Sequence, residues 1–169
     1  MNLHAPSNYI GPEKVFGLYK DRTAGINEVM PLPLTRLADD YLVAFPEKHK
    51  KDLIVTGIPD SMYRAIYSFI LAAAARDVRG QGRKHHSMLV HVTRFVDVQT
   101  QITEIIKEVV KQIVLQLEMQ TGPQYIKLIN DLETIWMEDF LPTTKSVMAS
   151  LDDSGIKEID WLDIKARLY

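Results

Sequence analysis

The spacing of apolar residues changes period several times along the chain, and each change marks an element. No period holds between residues 1 and 33. Pro6, Gly11, Pro12, Gly17, Gly25, Pro31 and Pro33 interrupt that stretch and leave room for at most a short turn around Glu13 to Tyr19. Thr35 to Ala44 predicts a short helix, capped by Thr35 and stopped before Pro46. A charged connector, Glu47 to Asp52, follows. Leu53 to Thr56 then predicts a short strand closed by Gly57.

The clearest helical pattern lies between Pro59 and Gly80. Asp60 and Ser61 are capping residues at its start, and Gly80 stands where a glycine ends a helix. Met62, Ile66, Phe69, Ile70 and Ala73 form one stripe, and Tyr63, Tyr67, Leu71 and Ala74 a second. A helix apolar around most of its circumference is expected to be the buried, central element. Ser87 to Val96 reads SMLVHVTRFV. Its period-two alternation and its Val and Thr content predict another strand. A long amphipathic helix follows from about Asp97 to Gln120, with Val98, Ile102, Ile105, Ile106, Val109, Ile113 and Leu117 on its inner face.

Gly122-Pro123 ends that helix and opens the next. Tyr125, Ile129, Leu132, Ile135, Trp136 and Phe140 give this one its stripe, and Pro142 is expected to break it. Thr143 or Thr144 caps a further short helix to Leu151. Asp152-Asp153-Ser154-Gly155 is a turn. Ile156 to Tyr169 predicts an extended piece and then a helix from Asp160. No repeat and no sustained heptad is present. The predicted fold is mainly α: a helical bundle around a buried central helix, with two or three short β-strands.

Composition narrows the function classes. The chain has 169 residues, 46% of them hydrophobic and 25% charged, as in a folded globular chain and unlike a disordered one. One domain, 1–169, is expected. The absence of Cys excludes a disulfide scaffold, a Cys-ligated zinc site and a thiol nucleophile. The N-terminus lacks the pattern of a signal peptide. The most apolar run, Ala65 to Ala75, is shorter than the roughly 20 residues a membrane span needs. A soluble, cytoplasmic protein without a membrane partner is therefore expected.

The net charge of −2 conceals two opposed windows. Residues 76–94 carry Arg76, Arg79, Arg83, Lys84 and Arg94 against Asp77. Residues 131–163 carry nine acids against Lys145 and Lys157. Known catalytic patterns are missing. Lys145-Ser146 lacks the glycines of a phosphate loop, and no Gly-x-Gly-x-x-Gly, Gly-x-Ser-x-Gly or His-Glu-x-x-His occurs. His85, His86 and His91 have no acidic neighbour to complete a metal site. Pro59-Asp60 and Asp163-Ile164-Lys165 supply the letters of a magnesium nuclease, but about a hundred residues apart, and Asp60 is better read as a cap. No catalytic residue, metal ligand or cofactor is assigned to this chain.

One polar feature remains. Arg76, Arg79, Arg83, Lys84, His86 and Ser87 lie in or beside a glycine-bearing loop that leads into the second predicted strand. Arg94 and Gln99 follow at the strand's far end. Cations, glycines and a strand edge suit contact with a nucleic-acid backbone. The alternative is that the loop arginines pair with the acidic 131–163 region and hold the fold together.

The run IPDSMYRAIYSFILAAAARDVRGQ…HHSMLVHVTRFVDVQ resembles the Z-one domain, found in large prokaryotic helicase-like, endonuclease-type proteins linked to DNA restriction and defence. YIGPEKVFG fits the stretch that follows the first helicase lobe there. The similarity spans about residues 9–20 and 58–115, and the family more often has Asn at the position of His86. The resemblance implies an interior piece of a larger ATP- and magnesium-dependent protein with two RecA-like lobes. It implies DNA and those lobes as partners, with a homo-oligomer also open. It also offers a second fold reading: α+β, part of a RecA-like lobe with a helical insertion, in which SMLVHVTRF opens the second lobe. Arg94 and Gln99 would then face nucleic acid or the lobe interface. The function implied is DNA binding or positioning without catalysis. The alternative is a helical protein–protein or interlobe module.

Overall fold

The computed structural model describes residues 38–150 and 157–169. The elements are α1 (Tyr41–Ala44), α2 (Asp60–Val78), α3 (Val96–Met119), α4 (Pro123–Ile135), a π-helical turn (Trp136–Phe140), α5 (Leu141–Ser150) and α6 (Trp161–Lys165). The protein is mainly helical, with no strand among the described residues. The irregular 1–33 segment, the Thr35 cap and the turn at Asp152 to Gly155 lie outside the described residues.

Both predicted strands are corrected. Leu53 to Thr56 is irregular, and one side chain stands where a strand partner was expected. Gln101 accepts from the Val55 N–H at 2.9 Å and donates to the Leu53 carbonyl at 3.0 Å. A single amide thus satisfies a donor and an acceptor that a ladder would otherwise pair. The second segment runs from 85 to 93 without helix, turn or bend, but no neighbouring strand lies beside it among the described residues. Without strands, the RecA-lobe alternative finds no support in the described residues.

Two helices share the centre. In α2, Ile66, Leu71, Ala74 and Ala75 are buried, while most of the remaining apolar residues are half-buried. Tyr63 and Tyr67 line a groove with Asp60, Lys127, Asp131 and Thr134, and Tyr67 also packs against the larger core. Burial, and secondarily the nearby Asp131 charge, raises the pKa of the Tyr67 hydroxyl. α2 packs on α4 and on α6, and α4 packs on α2 and on α3 and buries Leu128, Ile129, Leu132 and Ile135. These join Trp136, Ile159, Trp161, Ile164 and Leu168 in the larger core. A smaller core gathers Phe45, Val55, Val98 and Ile102, and Ile106 packs against both.

Pro142 does not end its helix. A proline lacks the N–H for an α-helical bond, and its ring crowds the carbonyl four residues back. The chain widens just before it: the Leu141 N–H reaches the Trp136 carbonyl, closing a π turn. The helix axis then continues into α5. The same turn presents Asp139 to α2, where the Arg64 guanidinium donates to Asp139 at 2.6 Å, with Glu138 at 3.7 Å.

The cap of α2 is likewise not the local one expected. Pro59 occupies the cap position and Asp60 is the first helical residue. The acceptor comes from 21 residues upstream, where Asp40 accepts from the Ser61 N–H at 2.8 Å. A carboxylate here satisfies an orphan donor and meets the positive end of the helix dipole. Hydrogen bonds from Ser61, side chain first and backbone second, hold the Asp40 carboxyl below its ordinary pKa. A depressed folded-state pKa stabilises the fold above the unfolded value, and that contribution is lost as pH falls through the folded value. Asp40→Ala should therefore lower the urea midpoint at neutral pH, and its gap to wild type should close in acid. A gap unchanged down to the lowest pH measured would remove Asp40 as the cap.

Candidate nucleic-acid interface

The basic loop begins as a helix ending. Arg79 is the C-cap of α2, and Gly80 follows at φ +72°, a left-handed conformation that glycine enters without a Cβ penalty. The Gly80 N–H bonds the Asp77 carbonyl at 2.8 Å, and the Gln81 N–H bonds the Arg76 carbonyl at 2.7 Å. This pair of bonds is the Schellman ending. A further bond, Lys84 N–H to the Gln81 carbonyl at 2.9 Å, tightens the next turn. Gly82 has a separate reason to be glycine: a Cβ there would lie 2.0 Å from the Asp77 carboxylate. The glycines therefore fix the loop's path; they do not loosen it.

On this frame Arg79, Arg83, Lys84 and Ser87 are exposed. Arg79, Arg83 and Lys84 form no ion pair among the described residues. Arg76 is half-buried, and its guanidinium approaches the His85 carbonyl at 3.4 Å. His86 is half-buried against Phe69, with ring centroids 4.4 Å apart. Its Nε2 is enclosed without a hydrogen-bond partner. His86 is thus a packing residue with a buried polar edge.

The two distal candidates differ from each other. Arg94 is exposed, with its guanidinium 5.1 Å from the Phe95 ring centroid. Gln99 is occupied, donating to the Thr93 carbonyl across the start of α3. Thr93 itself is buried, with its hydroxyl 2.7 Å from His49 Nε2 and accepting from the Phe95 N–H. Arg76 lies in the last turn of α2, Arg79 caps that helix, and Arg83, Lys84, His86 and Ser87 follow on the loop and the extended segment. The structure sets Arg94 at the far end of the 85–93 segment and gives Gln99 a structural task.

Among the described residues, no acid of the 131–163 region forms an ion pair with the loop. That region's Asp139 binds Arg64, and its Glu158 lies 3.8 Å from Lys145. The acid that meets the loop is Asp77, and Asp77 is bridged at 3.3 Å by Arg167. Sequence reasoning missed Arg167, because a partner 90 residues away leaves no local spacing signal. Asp60 lines the groove beside Tyr63 and Tyr67, and Asp163 is not among the residues that line it. Among the described residues no group of three or more His, Asp or Glu could hold a metal ion. No described helix is long and apolar enough to cross a membrane. A second, largely apolar pocket lies between α1, the start of α2 and the π turn, lined in part by Phe45, Met62, Ala65 and Phe140.

No curated protein and no solved structure matches the chain. The Z1 domain model matches residues 61–169. The match reaches beyond the stretch whose motifs were recognisable, taking in α4, the π turn, α5 and α6. It covers more than half of the sequence, from the second residue of α2 to Tyr169, and the chain therefore belongs to the Z1 domain family.

Proposed function

We propose that this chain is a non-catalytic DNA-binding or DNA-positioning segment of an endonuclease-type, ATP-dependent helicase-like protein of DNA restriction or defence. One observation carries the reading: Arg79, Arg83 and Lys84 are exposed, have no ion-pair partner among the described residues, and stand on a loop of fixed backbone. Cations held without counter-charge suit phosphate contact, which positions a protein on nucleic acid without reading its sequence. ATP and magnesium belong, on this reading, to other parts of the parent protein.

Salt titration of binding to a labelled duplex tests it. Each neutralised phosphate adds about 0.9 to the slope of log K against log salt concentration. Replacing Arg79, Arg83 and Lys84 together by alanine should reduce that slope by up to about 3 and weaken binding by about tenfold or more at low salt. All three side chains are exposed, so the helices should be unaffected, which circular dichroism checks. Equal slopes for the two proteins, or no binding by either, would remove the reading.

The competing interlobe or protein–protein module draws on Val96, Val110, Val114 and Met119, all exposed on α3. It predicts a salt-insensitive complex that covers α3 and leaves the loop open.

A further inference from the structure

The segment from residue 86 to residue 92 has an unusual combination of properties. The chain there runs without helix, turn or bend. None of these residues has a backbone hydrogen bond among the described residues. The flanks are anchored: Lys84 is turned back on Gln81, and Thr93 is held by His49 and Gln99. From residue 89 to residue 92 the side chains alternate. Val90 and Val92 are half-buried, while Leu89, 90% exposed, and His91 point outward. Unpaired backbone donors and acceptors on a chain held at both ends form a template for another strand.

Charge selects the partner. Arg83 and Lys84 stand at one end of the segment and Arg94 at the other, with no acid between them. A second copy of the same segment, antiparallel or parallel, would set cations against cations at both ends, and like charges directly opposite are destabilising. We propose that residues 86–92 accept an incoming β-strand from another polypeptide, one that alternates apolar and polar residues and carries acidic residues at both ends. Main-chain bonds to the segment would supply affinity. The exposed Leu89 and His91 would meet one face of the incoming strand, and its acidic ends would meet Arg83, Lys84 and Arg94. This rests on backbone groups, not on the DNA reading, and either can fail alone.

Hydrogen exchange on the full chain tests it, with a blocked peptide Glu-Glu-Val-Thr-Val-Thr-Val-Glu-Glu as probe. In the free protein at high dilution, amides 86–92 should exchange as unprotected. At saturating peptide they should slow by roughly tenfold or more. The counterpart with Lys in place of every Glu should bind roughly tenfold more weakly or worse. Alternate N–H groups point toward a partner, so Leu89→Pro or Val90→Pro should abolish the protection. Leu89 is exposed, so its variant should leave helix exchange unchanged. Protection already present in the free protein would mean the chain covers its own edge, and would overturn the proposal. So would protection that rises with protein concentration alone, which would identify a second copy. Equal binding of both peptides, or of neither, would also overturn it.

Discussion

Trp136→Ala is expected to lower the free energy of unfolding by about 3–5 kcal/mol, the range for truncating a buried large aromatic. Trp136 is 2% exposed, belongs to the larger core and stacks on Phe140 with centroids 5.1 Å apart. It also opens the π turn that precedes Pro142. The loss would consume much of the roughly 5–15 kcal/mol that holds a domain folded. Urea denaturation followed by circular dichroism measures it. Trp136→Phe is the informative comparison, because the indole Nε1 is buried without a hydrogen-bond partner. Its removal breaks no bond, so the phenylalanine variant should lose less than about 1.5 kcal/mol. Equal losses in the two variants would mean the indole N–H has a partner after all.

Ile164→Ala is expected to cost about 2–5 kcal/mol although it sits in a helix of five residues. A helix that short has no stability of its own in water. What holds α6 is the complete burial of Ile164, the burial of Trp161, and the Asp160 carboxylate accepting from the Leu162 N–H at 2.9 Å. Its packing on α2 ties the end of the family match to its beginning. A loss below about 1 kcal/mol, the scale of an exposed substitution, would show that α6 is not part of the core.

The long helices were legible because their burial follows a 3.6-residue period. The α3 residues Val98, Ile102, Ile113 and Leu117 are the ones that enter the core. Gly80 and Asp160 signalled helix ends through local chemistry, and both hold those places. What failed depended on partners distant in sequence. The alternation of 87–96 and the Val-Thr pair at 55–56 described strand-like side chains, but a strand needs a neighbour, and Gln101 took that place at 53–55. Asp40 capping α2 and Arg167 bridging Asp77 are likewise invisible to spacing. Pro142 was read as a breaker because composition cannot show that the preceding turn has widened. In the basic loop, sequence found the cations. It also marks Gly80 as a helix end, and the backbone bonds fix that ending in place.

The π turn has a consequence for how length changes would be tolerated. A π turn is an α-helix with one residue too many, and each residue in a helix turns the chain by about 100°. The widened turn absorbs that extra residue, so deleting one residue from 136–140 would restore a continuous α-helix and leave everything after it facing nearly as before. Thr143 and Thr144 would still face the second pocket, but Pro142 would now press on the carbonyl behind it. The surplus residue is thus a spacer: it gives Pro142 room inside a helix that keeps its direction.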